Sequence, residues 1–185
     1  MACRSSTESS RTGPINVAGI SRRKIAILAP VLASTATGFS LESDQHSQDE
    51  AAIRRVIANL SDAWTKGDAK MWADQFTDDA DFTAWMGSSV KGRDAIARGH
   101  EALFSRVYNG TKQRINVDSV RFLSADVAVA HADATVVKQD AQFPEAPQVV
   151  FAAVFVKQGK DWKIAVFHNT RIHSREEVEA FRAKQ

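Results

Sequence analysis

The chain has 185 residues, 44% hydrophobic and 25% charged, values of an ordinary globular protein that exclude a disordered or fibrous one. Its formal charge of +2 is unevenly spread: residues 1–40 hold Arg4, Arg11, Arg22, Arg23 and Lys24 against the one acid Glu8, leaving 19 basic and 21 acidic residues beyond. That slightly acidic remainder excludes a nucleic-acid footprint, and with Cys3 the only cysteine it has no disulfide, thiolate nucleophile or thiolate metal site.

Residues 1–40 read as an export leader rather than as fold. The basic stretch Ser21–Ala26 leads into a mildly apolar run, Ile25–Ala36, interrupted by Pro30. That run is shorter than the roughly 20 residues a membrane span needs, and basic, apolar and small residues in that order mark a secretory signal. Ser21-Arg22-Arg23 resembles the twin-arginine signal, although Ile25, Ala26 and Ile27 replace its usual Phe-Leu-Lys. Cleavage is expected between Ala36 and Glu42, releasing one periplasmic or extracellular domain over 41–185, with its core at 47–172.

Ser47 and Glu50 have capping-box spacing, so a helix is expected to start there. Ile53, Val56, Ile57, Leu60, Ala63 and Trp64 then form one apolar face, and Lys66-Gly67 stops the helix. Asp68 caps a second, short helix through Phe76. Thr77–Ala80 is expected to turn into a strand at Asp81–Met86, followed by a short paired segment at Gly87–Lys91. A third helix runs from Arg93 to about Arg106, with Ile96, His100, Leu103 and Phe104 inward.

Four strands follow, at Arg114–Leu123, Val127–Lys138, Val149–Lys157 and Trp162–Ile172, and their short connections imply antiparallel hairpins. Ser174 and Glu177 open a short C-terminal helix at 174–182. Three helices and then a meander make an α+β fold, with helices over one face of a curved antiparallel sheet. The strand at Val127–Lys138 is apolar at both alternations. One face carries Val127, Val129, His131 and Asp133, and the other Ala128, Ala130, Ala132 and Ala134. Both faces therefore need cover. The alanine face is expected to admit a second sheet, giving a homodimer.

Four segments carry a family resemblance: Ala63–Trp85 (AWTKGDAKMWADQFTDDADFTAW), Val90–Ile96 (VKGRDAI), Asp126–Val136 (DVAVAHADATV) and Trp162–Thr170 (WKIAVFHNT). Together they make residues 47–172 resemble the nuclear transport factor 2-like superfamily, within it the SnoaL-like and SgcJ/EcaC-type group. The resemblance implies a cone-shaped, cystatin-like fold whose interior binds ligands. It does not settle a reaction, because the superfamily spans isomerases, dehydratases, cyclases and non-catalytic domains. Against the ketosteroid isomerases, the general-base aspartate falls at Ala84 and the oxyanion tyrosine at Leu60, so that chemistry is not implied. Against the kinase association domains, His131, Ala153 and Asn169 stand near the positions of pocket arginines, so a strongly anion-binding interior is not implied either.

Within such a cone, His131 and Asp133 share a strand face and are the expected acid/base pair. Trp64, Asp81, Trp85, His100, Phe104, Phe151 and Asn169 are the expected ligand-binding residues, with Asn169 able to donate to an oxyanion. His168 is expected to be structural. No metal is expected, because His100, His131 and His168 lack a short ligand spacing. No cofactor is expected either, since no dinucleotide or flavin fingerprint is present. Two readings stand: an exported protein acting on a small, mostly apolar molecule by acid/base chemistry, and a non-catalytic dimeric carrier of such a ligand.

Overall fold

A computed structural model describes residues 36–184, with side chains from Asp44 onward. Residues 1–35 of the expected leader lie outside the described residues. The elements are α1 (Ala36–Lys66), α2 (Ala69–Ala73), β1 (Phe76–Thr83), β2 (Ser89–Lys91), α3 (Arg93–Phe104), β3 (Thr111–Ser124), β4 (Val127–Lys138), β5 (Val149–Gln158), β6 (Asp161–Arg171) and α4 (Arg175–Arg182). Among the described residues no helix is long and apolar enough to cross a membrane.

The first helix corrects the sequence reading at its start. It begins at Ala36, so Ser47 lies inside it and forms no N-terminal cap. Nothing between Leu41 and Glu50 breaks a helix, and a capping-box spacing can recur in a helix interior. Its apolar face is as expected: Ile53, Ile57, Leu60 and Ala63 are buried, with Trp64 and Val56 nearly so. Gly67 ends the helix at φ +66°, and its N–H donates to the Trp64 carbonyl at 2.9 Å. Asp68 then caps α2 by accepting from the Met71 N–H at 2.8 Å.

The six strands form one sheet in the order β2-β1-β6-β5-β4-β3. It is mixed rather than wholly antiparallel, because β1 lies parallel to β6. Thr77–Ala80, read from sequence as a turn, belongs to β1, where a register shift between Phe76 and Asp81 absorbs the extra residues. The C-terminal capping box is formed as expected: Ser174 Oγ accepts from the Glu177 N–H at 3.1 Å, and Glu177 Oε2 from the Ser174 N–H at 2.9 Å.

Two features decide which side chains face the helices. The first is the parity of β4. Ala128, Ala130, Ala132 and Ala134 are buried on the inner face, whereas His131 is exposed on the outer one. Cross-strand volume explains the choice: Ala128 pairs with Phe155 and Ala132 with Phe151, so small residues sit beside the large rings that fill the core. The alanine face is thus interior rather than the dimer surface expected for it. The second feature is a bulge in β6. Phe155 pairs with Ile164 and Val154 with Val166, leaving Ala165 as the extra residue. Beyond it the alternation flips. Val166 is 40% exposed, while Phe167 joins Trp162 and Ile164 in the core.

Candidate functional site

Inside the sheet's curve, between α1, α2, α3 and strands β3 to β6, lies a cavity of about 350 Å³, within the range of small-molecule sites. Its deep wall is aromatic. Phe82 and Phe167 stack with centroids 5.2 Å apart, and Phe151 stacks on Phe167 at 4.7 Å. Trp72 stacks on His100 at 4.8 Å. Trp64 is oriented by its indole N–H, which donates to Thr111 Oγ1 at 3.1 Å, while the Thr111 hydroxyl donates to the Tyr108 carbonyl at 2.6 Å. The Trp85 side chain, 41% exposed, stands at the opening.

Polar groups punctuate this wall. His100 is only 4% exposed, and Nδ1 lies 2.9 Å from the Ile96 carbonyl. A carbonyl only accepts, so Nδ1 carries the proton and the neutral ring keeps its lone pair on Nε2. Burial lowers the imidazole pKa to about 4, against the smaller upward pull of the Ile96 carbonyl, so the ring is neutral at pH 7. Nε2 has no hydrogen bond among the described residues. Trp72 Nε1, Gln113 Oε1 and Asn169 Oδ1 are buried without a hydrogen-bond partner among the described residues, and all three residues line the cavity. Unpaired buried polar atoms are costly, and several at one cavity mark a place for ligand or water. Among the described residues no aspartate, glutamate or arginine lines it, and the one ammonium in the lining, that of the exposed Lys138, is at the rim.

Of the residues expected from sequence, Trp64, Trp85, His100, Phe151 and Asn169 meet at this cavity. Asn169 is there because of the Ala165 bulge, which places it on the face of Phe167. Phe104 packs behind the wall, 5.1 Å from Trp64 and 5.6 Å from His100 by ring centroids. Asp81 is elsewhere, exposed on β1 between β2 and β6 and paired with Lys91 at 2.9 Å.

His131 and Asp133 lie outside the cavity, on the outer sheet face, and are not bonded to each other. Asp133 instead accepts from Asn116 Nδ2 at 2.9 Å. The expectation of an inward His131–Asp133 pair is therefore corrected: β4 turns its alanines, not its histidine, toward the helices. His168, exposed, shares that outer face. Among the described residues no group of three His, Cys, Asp or Glu side chains could hold a metal ion. Sequence reasoning passed over Tyr108, Gln113 and Gln148. Gln113 becomes readable only once β3 is paired with β4, as Thr111 with Lys138 and Gln113 with Val136, while Tyr108 and Gln148 lie in connections that carry no strand period.

Comparisons with known proteins agree with this geometry. A cystatin-like domain of unknown function from Nostoc punctiforme is 29% identical, with TM-score 0.67, over 74% of this chain and 85% of that one. A nuclear transport factor 2-like protein from Novosphingobium aromaticivorans is 19% identical, with TM-score 0.62, over 80% and 97%. A second protein from that bacterium, described provisionally as a scytalone dehydratase, is 20% identical, with TM-score 0.56, over 72% and 93%. The search of curated proteins found no match. The model of the SnoaL-like domain matches residues 45–168, and this chain belongs to that family.

Proposed function

We propose that this chain is an exported member of the SgcJ/EcaC-type group that binds a small, mostly apolar molecule in the cone. His100, not His131, is its acid/base residue. The observation that carries this is the buried, neutral His100 with Nδ1–H given to Ile96 and Nε2 unbonded among the described residues at a mostly apolar cavity. Such a nitrogen accepts a proton from a substrate C–H or O–H next to a carbonyl. Burial makes the imidazolium costly, so the transfer is favoured only where the substrate becomes anionic beside it, and the Asn169 amide then supports the oxyanion. Isomerisation, dehydration and cyclisation all fit this pattern.

The non-catalytic carrier stands as a second reading, because a pKa of about 4 leaves His100 a weak base at pH 7. Once a ligand is identified, His100→Ala separates the two. Lost turnover with retained binding supports the enzyme, and lost binding alone supports the carrier.

The proposed homodimer uses the outer sheet face. Val150 and Val166 there are 43% and 40% exposed, beside exposed His131 and His168. Export is proposed to follow the twin-arginine route, so replacing Arg22 and Arg23 by Lys should hold the precursor in the cytoplasm. Native mass spectrometry of protein purified from its own host tests ligand and assembly together. A dimer carrying an extra small-molecule mass is expected, whereas a ligand-free monomer would contradict both.

A further inference from the structure

We propose that the ligand is an amphiphilic acid whose anionic oxygens sit at the cavity opening between Lys138 Nζ and the side-chain amide nitrogen of Gln148. This deepens the small-molecule reading above and rests on it.

Lys138 ends the inner face of β4, two residues beyond Val136, and both line the cavity. Its ammonium makes no ion pair among the described residues, although Asp140 follows two residues later. Gln148 lines the same cavity. Its Oε1 accepts from the Val136 N–H at 2.9 Å, and its backbone N–H and C=O are bonded to the Ala134 carbonyl and the Ile172 N–H. Those bonds fix which way the amide points. Oε1 is occupied, and the nitrogen keeps two N–H groups with no partner among the described residues.

The opening thus offers an ammonium and an amide N–H pair, with no carboxylate among the described lining residues to oppose them. Lys112 and Arg114, held over the Phe143 ring at 5.3 and 4.8 Å on the other face of β3, add positive potential nearby. Donors without acceptors fit a carboxylate, which takes charge-assisted hydrogen bonds from both. The deep wall fits the opposite end of such a molecule. It is aromatic, and its imidazole is neutral, so a charge placed there would be stripped of water without a counter-ion. His100 Nε2 instead accepts from a hydroxyl. An apolar body with a hydroxyl inside and a carboxylate at the opening satisfies both ends.

Isothermal titration with 6-hydroxy-2-naphthoate and its methyl ester tests this on the wild type, Lys138→Met and Gln148→Glu. The glutamate can still accept from the Val136 N–H, so it changes the charge at the opening without freeing β4. Lys138→Met should weaken the acid at least about fivefold and leave the ester within about twofold, as expected for one partly desolvated charge pair. Gln148→Glu should weaken the acid similarly, and added salt should weaken only the acid. Acid affinity unchanged in Lys138→Met, or acid and ester weakened alike, overturns the anionic end while leaving the cavity as the binding site. Failure of both compounds to bind the wild type overturns the small-molecule reading itself.

Discussion

The indole nitrogen of Trp162 donates to Asp49 Oδ1 at 2.9 Å, joining the middle of α1 to the start of β6. Lys157 Nζ adds an ion pair at 2.8 Å and Gln45 Nε2 a further bond at 3.1 Å, so this 6%-exposed carboxylate is fully engaged. Burial alone would raise its pKa, but the bonds from Lys157, Trp162 and Gln45 outweigh burial and hold it below the usual value. Removing it strands a partly buried ammonium and a buried indole N–H. Asp49→Ala should therefore destabilise the fold by roughly 2–3 kcal/mol in urea unfolding. Because the folded-state pKa is depressed, this contribution is complete above about pH 4 and is lost as the pH falls further.

His100 gives a second and separate pH dependence. In the unfolded chain a histidine titrates near 6.5, whereas burial holds His100 at about 4. Above pH 6.5 both states are neutral and the group contributes no slope. Between 6.5 and about 4 only the unfolded state takes the proton, so stability falls by roughly 3 kcal/mol in total, at about 1.4 kcal/mol per pH unit. His100→Gln should flatten that part of the stability–pH curve. An unchanged slope would show that His100 is not held neutral by burial.

The outer face of β4 predicts tolerance and the inner face does not. His131→Ala and Asp133→Asn alter exposed or half-exposed groups and should change stability by less than about 1 kcal/mol without affecting ligand binding. Ala132→Leu adds volume at a residue 1% exposed beside Phe151, and should cost about 1–3 kcal/mol or more. Equal tolerance at 131 and 132 would contradict the assigned parity.

The bulge at Ala165 can be tested by deleting that residue. Ala165 is the unpaired residue, so its deletion joins Ile164 directly to Val166 and gives a regular ladder with the register on β5 unchanged. Phe167 and Asn169 then stay inward, and stability should change by less than about 2 kcal/mol, short of the range for removing a buried aromatic ring from the stack with Phe82 and Phe151. A loss of about 3–5 kcal/mol in the deletion variant would show that Ala165 is not the extra residue.

These two features also mark where the sequence stops being readable. The apolar face of α1, the stripe of α3 carrying His100, the four long strands and the Ser174–Glu177 box all follow from spacing, because helical and strand periods leave one consistent face. β4 is apolar on both alternations, so nothing local says whether Ala132 or His131 points inward. Only its pairing with Phe151 and Phe155 on β5 decides. The Ala165 bulge is invisible for a similar reason, since Trp162, Ile164 and Val166 continue an unbroken strand pattern that the structure interrupts. The ambiguity of β4 moved the expected pair His131–Asp133 to the wrong side of the sheet, and the bulge hid that Val166 faces outward. His100, on a regular helix, was placed correctly on its inward stripe.

The most direct measurement of the central claim is calorimetric titration of 2-naphthol, an apolar ring with one hydroxyl, into wild type, His100→Leu and His131→Ala. The cavity account predicts binding to the wild type, a loss of affinity of roughly tenfold in His100→Leu, and no change in His131→Ala. Affinity that depends on His131 and not on His100 would contradict it.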